Sequence, residues 1–117
     1  MKMSSKSFSN NELKCKHCGE NHINPEALRM LQEVRDLWGK PMILNSAYRC
    51  VNHPEEAKKA KGGTHTQGIA FDIRTKPNEQ PELVSLALRV GFKGFGFSKS
   101  FLHVDARRQD YVSAWYY

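Results

Sequence analysis

An aspartate stands inside one short apolar run, Ile69-Ala70-Phe71-Asp72-Ile73, and a histidine inside another, Leu102-His103-Val104. Both runs have the length and composition of β-strands. A carboxylate flanked by Phe71 and Ile73 is expensive to bury without a counter-charge or a metal. The fold therefore has to bring a partner to Asp72. Six residues separate His65 from Asp72, with Gly68 between them. Two histidines and one carboxylate supply three of zinc's four tetrahedral positions and leave one for water. The same side chains also suit plain hydrogen-bonded structure, the commoner role of a His or Asp in a strand, and spacing alone leaves both readings open.

The elements around these runs are marked by their boundaries. Asn24-Pro25-Glu26 places a capping residue before a proline, the signature of a helix start. Ala27, Leu31, Val34 and Trp38 follow at helical spacing, and Gly39 ends the segment. Pro41 to Asn45 is expected as a short buried strand, residues 51–64 as a loop with room for one helical turn, and Lys76 to Gln80 as a polar connection. Pro81 opens a second helix with Leu83, Val84, Ala87 and Leu88 on its inner face and Gly91 as its cap. Phe95 to Phe97 and Phe101 to Ala106 are expected as strands joined by Ser98-Lys99-Ser100. Helices and strands do not alternate as a parallel sheet requires. The expected class is α+β, with helices on one side of a small, mostly antiparallel sheet. Residues 1–10, rich in Ser, Lys and Asn, are expected as a loose arm. The tail Trp115-Tyr116-Tyr117 is expected at the edge of the core or frayed, with a place in a binding cleft as the other reading.

Composition narrows the function classes. The 117 residues make one domain, and 39% hydrophobic with 26% charged residues suits a soluble globule. No apolar run approaches the roughly 20 residues that span a bilayer, and the opening residues lack the apolar core of a secretory leader. The net charge of +6 suits any polyanionic neighbour, a bacterial cell wall included. Its densest cluster, Lys58, Lys59 and Lys61, lacks the interleaved aromatics that stack nucleic-acid bases, so a solvated face is expected and no nucleic-acid partner. Three cysteines cannot all pair within one chain. Cys15 and Cys18, with Cys50 and His53, have the spacings of a structural zinc site, for which His17 or His22 are alternative ligands to His53. A disulfide from Cys50 to Cys15 or Cys18, formed after release from the cell, and three inert thiols are the other readings.

Thr64-His65-Thr66-Gln67-Gly68-Ile69-Ala70-Phe71-Asp72, followed by Phe101-Leu102-His103-Val104-Asp105, resembles the zinc D-Ala-D-Ala carboxypeptidase family, above all its short single-domain members in phages and prophages. The H-x-x-G-x-A-x-D pattern is complete, and Ser46-Ala47-Tyr48-Arg49 matches the S-x-Y-R that precedes it in that family. The likeness runs from about Phe8 to Trp115 and includes the join Gly39-Lys40-Pro41. It implies one zinc peptidase domain over 1–117, with a fold like that of hedgehog domains and D-Ala-D-Ala peptidases, acting as a monomer.

Carried over position by position, the resemblance implies that His65, Asp72 and His103 bind a catalytic zinc ion. Arg49 would grip a substrate carbonyl or carboxylate with its planar guanidinium. Gly68 would let the backbone pass close between the ligand-bearing segments. The implied reaction is metal-assisted hydrolysis of a peptidoglycan stem peptide, with Arg49 and zinc stabilising the oxyanion while an acid–base residue carries the proton. The chain departs from the family twice. Ser100 stands where relatives carry an acidic base three positions before the last histidine, and Gly63 where many have serine. Asp105, two residues after His103 and so on the same strand face, is either the base or a group that orients His103. The implied setting is cell-wall lysis, with synthesis in the bacterial cytoplasm and holin-type release or incorporation in a virion. Two rivals remain at this level: a zinc-containing peptidoglycan-binding module without turnover, favoured by Ser100, and a nucleic-acid binder built on Cys15 and Cys18.

Overall fold

A computed structural model describes residues 4–57 and 63–117; the Lys58, Lys59 and Lys61 cluster lies outside the described residues. The chain starts with a short helix, α1 (Asn10–Leu13), and the longer α2 (Pro25–Trp38). Strand β1 (Leu44–Ser46), the turn-long helix α3 (Pro54–Ala57) and β2 (Ala70–Arg74) follow. A 3-10 turn (Pro77–Glu79) leads into α4 (Gln80–Val90), and β3 (Gly94–Phe97), β4 (Phe101–Asp105) and β5 (Ser113–Tyr116) complete the chain.

Helix α2 forms where its boundary residues direct it. The Asn24 side chain accepts the Ala27 N–H at 3.0 Å, and the Gly39 N–H closes the last turn on the Arg35 carbonyl. Ala27, Leu28, Leu31, Val34 and Trp38 are buried along one stripe. Helix α4 packs beside it, tied by the Trp38 indole N–H to Glu82 at 3.1 Å. Leu83 and Ala87 of α4 are buried as expected, but Leu88 is exposed and Leu86 packs on the core in its place. The short strand foreseen over Pro41 to Asn45 is found over Leu44–Ser46, with the Ile43 carbonyl just before it already accepting the Arg74 N–H at 2.8 Å.

The strand order is β1-β2-β4-β3-β5, antiparallel throughout except that β5 runs parallel to β3. Alternation divides the sheet into two faces. Phe71, Ile73, Phe95, Leu102 and Val104 join the helix residues in the apolar core. Asp72, His103 and Asp105 lie on the opposite face, Asp72 directly across from His103. The sheet thus places the polar residues of two apolar strands side by side. The tail expected as a core edge or a frayed end is a strand: Gly96 pairs with Trp115 and Phe97 with Tyr116.

The opening segment is not a loose arm from residue 4 onward. Ser9 and Glu12 form a reciprocal capping box at the start of α1. Phe8 is 1% exposed, a burial worth about 1.5–3 kcal/mol. Ser5 and Ser7 hydrogen-bond to Gln32 of α2.

Candidate metal centre

Three chain segments deliver the expected ligands. Asp72 and His103 face each other across the β2–β4 ladder, and His65 sits on the turn before β2. That turn is held by Arg49 N–H on the His65 carbonyl and by Asn24 N–H on the Gly68 carbonyl. Gly68 has φ +76°, and a Cβ there would collide with the His22 carbonyl oxygen. Its close approach is therefore to the segment before α2 rather than to a ligand-bearing strand. All three ligands are buried, and their ligand atoms lie within 4.8 Å of one another.

The hydrogen bonds around the cluster decide what it can hold. His65 Nδ1 lies 2.6 Å from the Ala47 carbonyl oxygen, which only accepts, so Nδ1 carries the proton and Nε2 faces Asp72 Oδ1 at 3.2 Å. His103 Nε2 lies 2.7 Å from Asp105 Oδ2 and donates to it, while its Nδ1 faces the same Asp72 oxygen at 3.0 Å. With each ring neutral, two nitrogen lone pairs and one carboxylate oxygen converge on a single point, a repulsive arrangement that one cation relieves. The residues fit a divalent metal. The two outer hydrogen bonds, to Ala47 and Asp105, are the kind that fix a metal-ligating histidine in its tautomer.

Without an ion, protons shared among these groups take its place. Burial acts to raise the Asp72 pKa, but the hydrogen bonds from His103 and His65 outweigh it and hold the carboxyl well below the usual carboxylate range. Burial likewise opposes charge on His103, and the bonds to Asp105 and Asp72 prevail and raise its pKa. Both carboxylates are anionic at neutral pH, as a cation site requires.

Asp105 is fully buried behind His103. Arg107 reaches it through Nε at 2.7 Å and Nη2 at 2.9 Å, and its Oδ2 also takes the His103 proton. Despite burial, these bonds hold the Asp105 carboxyl well below its ordinary pKa. Gly94 makes the room, since a Cβ there would overlap the Asp105 carboxylate. A Cβ at Gly96 would likewise come within 2.6 Å of the Trp115 indole nitrogen. The two glycines leave a bare strip on β3 into which Asp105 and Trp115 fit.

A cavity of about 600 Å³ opens over His65 and His103. Arg49 lines it, with Nη2 on Asp72 Oδ2 at 3.2 Å and Nε on Ser46 Oγ at 3.0 Å. A register shift in β1 puts Ser46 opposite Asp72, which is how the bulged strand aims that hydroxyl at Arg49. Gly63 and Thr64 also line the cavity. Ser100 is exposed on the β3–β4 turn and takes no part in the lining.

Sequence reasoning missed Arg107 and Glu55, and the binding-cleft reading of the tail, the less favoured one, is the one that holds for Trp115 and Tyr117. Arg107 is the counter-charge of Asp105, and the rule applied to Asp72, that a strand carboxylate needs a partner, would have found it. Trp115 and Tyr117 wall the cavity, with Arg107 stacked 5.0 Å over the Trp115 ring. Glu55 of α3 is the carboxylate among the described lining residues, and nothing in its local sequence marks it.

The second constellation comes together in part. Cys15, Cys18 and Cys50 have their sulfurs within 4.8 Å of one another, but among the described residues no histidine nitrogen joins them. His53, expected as the fourth ligand, has Nδ1 occupied by the Glu55 N–H at 3.1 Å. His22 is turned away, to Glu20 and the Tyr48 ring.

No helix among the described residues is long and apolar enough to cross a membrane. The sequence model of one protein family, peptidase M15, matches residues 6–105, from the segment before α1 to the end of β4. The matched span takes in all three clustered ligands and Asp105, and leaves Arg107 and β5 outside it. No curated protein matches the chain.

Proposed function

Because the chain belongs to the peptidase M15 family, we propose that it is a zinc-dependent peptidase hydrolysing peptidoglycan stem peptides, with His65, Asp72 and His103 as the metal ligands. The observation that carries this reading is the convergence of three buried ligand atoms beside an open cavity that also holds an arginine. Bound zinc supplies Lewis acidity that polarises a carbonyl and activates water. The chain's own groups do the rest. Ala47 and Asp105 keep the two imidazoles in their ligating tautomers. Arg49 brings a fixed positive charge to the cavity wall, suited to a stem-peptide carboxylate or to the oxyanion of the scissile carbonyl.

Asp105 acts as a positioning residue. Its carboxylate is sealed from the cavity and already anchored by Arg107 and His103, so it cannot meet a water on the substrate side. Glu55 is the carboxylate on the cavity wall among the described residues, and is assigned the proton transfer that Ser100 lacks the chemistry for. Trp115 and Tyr117 offer flat apolar walls against which a short peptide packs. The proposed enzyme acts as a monomer. The setting proposed with this activity is phage or prophage cell-wall lysis, with release from the cytoplasm or carriage in a virion.

The test is mass spectrometry of purified peptidoglycan incubated with the protein, with and without a chelator. Chelator-sensitive products are expected, and their masses name the bond, a terminal D-Ala or one inside the stem. Intact stems from several wall types, with zinc confirmed on the protein, would replace the peptidase by a binding module.

A further inference from the structure

We infer that Cys15, Cys18 and Cys50 hold a second zinc ion, which clamps the N-terminal segment to the loop that carries Arg49. The sulfurs come from two segments 35 residues apart and lie within 4.8 Å of one another, close enough to share one ion. The segment from Cys15 to Glu20 is folded as a metal knuckle. Gly19 N–H bonds to the Cys15 carbonyl at 2.8 Å and Cys15 N–H to the Glu20 carbonyl at 2.7 Å, closing a tight turn that brings both sulfurs to one side. Gly19 has φ +80°, and a Cβ there would meet nothing within 4 Å, so glycine serves the turn's conformation and not a packing need.

Backbone donors point at the sulfurs as well. Cys50 N–H reaches Cys15 Sγ at 3.3 Å, and Glu20 N–H reaches Cys18 Sγ at 3.5 Å. Such N–H groups stabilise the negative charge that a ligating thiolate carries. All three cysteines are free thiols in the structure, and three sulfur donors select a borderline-soft ion such as zinc over magnesium or calcium. Cys15 is buried and Cys18 exposed, so the cluster borders solvent, and one further ligand would complete a tetrahedral site.

The position of the cluster gives it a purpose. Arg49 directly precedes Cys50, Tyr48 N–H bonds to the Leu13 carbonyl, and Lys16 Nζ reaches the Asn45 carbonyl at 2.7 Å. An ion on the three sulfurs adds a covalent-strength tie to these hydrogen bonds and steadies the loop that aims Arg49 into the cavity.

The test uses the full chain and reads metal, not activity. Native mass spectrometry is expected to find two zinc ions on the wild-type chain and to lose one in Cys18→Ser. Cys18 is exposed, so that substitution leaves the core packing alone. In His65→Ala the cysteine ion stays, and the cobalt-loaded variant shows the near-ultraviolet thiolate-to-cobalt band that Cys18→Ser and Cys50→Ser lack. Absence of that band in cobalt-loaded wild type and in His65→Ala would overturn the proposal. So would an intact mass lighter by two hydrogens with no metal on the cysteines, the signature of a disulfide. Failure of the metal-peptidase reading would lower the wild-type count to one zinc ion but leave the cobalt band, its persistence in His65→Ala and its loss in Cys18→Ser unchanged.

Discussion

His65→Ala and His103→Ala each abolish hydrolysis and remove the ion from the sheet site, while the fold survives. The expectation follows from the way the three ligands share one point. Asp72 Oδ1 lies 3.2 Å from His65 Nε2 and 3.0 Å from His103 Nδ1, so removal of either ring leaves two donors where zinc needs at least three from the protein. Lewis-acid stabilisation is worth several kcal/mol, and at about 1.36 kcal/mol per tenfold its loss lowers kcat/KM by about three powers of ten. Both rings sit on the polar face of the sheet, away from the apolar cluster of α2 and α4, so circular dichroism should remain that of the wild type. Stem-peptide hydrolysis with zinc analysis of each purified variant checks this. Unchanged activity in either variant would remove the ligand assignment.

Asp105→Asn separates positioning from proton transfer. The asparagine still offers an oxygen to His103, but the charge that raises the basicity of that ring is gone, and Arg107 loses its counter-ion. Second-layer carboxylates of this kind are worth about 10–100-fold in metal affinity or activity. Zinc affinity and activity at limiting zinc should therefore fall together by that factor, and saturating zinc should restore most of the turnover. Losing the charge-assisted bonds to Arg107, whose side chain keeps contact with solvent, also costs about 1–3 kcal/mol, seen as a lower Tm. A general base would behave otherwise, with turnover lost and zinc affinity kept. Activity that excess zinc cannot rescue, on a fully loaded variant, would return the base role to Asp105.

The parts of the fold legible in the sequence are those with a local cause. Asn24 and Pro25 fix where α2 starts because capping is settled within four residues, and Gly91 does the same for the end of α4. Asp72 and His103 announced the site because a polar side chain in an apolar strand needs a partner, and the ladder puts them opposite each other. The placement of Asp105 beneath His103 also follows from a local rule, the two-residue repeat of a strand.

What escaped depends on distant pairing or on a signal passed over. β5 is short, aromatic and nearly without alternation in its residue types, and only the bare glycine strip of β3 tells where Trp115 can lie. Glu55 reaches the cavity through the path of the chain around it and not through any spacing. The docked start of the chain was readable. Ser9 and Glu12 carry the capping-box pattern, and Phe8 is a large apolar residue beside it, but a run rich in Ser, Lys and Asn masks both.

The most direct measurement is anomalous diffraction across the zinc absorption edge from crystals of the protein grown with zinc. The ion is expected within bonding distance of His65 Nε2, an Asp72 oxygen and His103 Nδ1, with the Asp105 carboxylate still on His103 Nε2. Zinc-replete crystals with no anomalous peak between β2 and β4, or with the ion bound through His103 Nε2 and Asp105 instead, would contradict the metal centre on which the proposed hydrolysis depends.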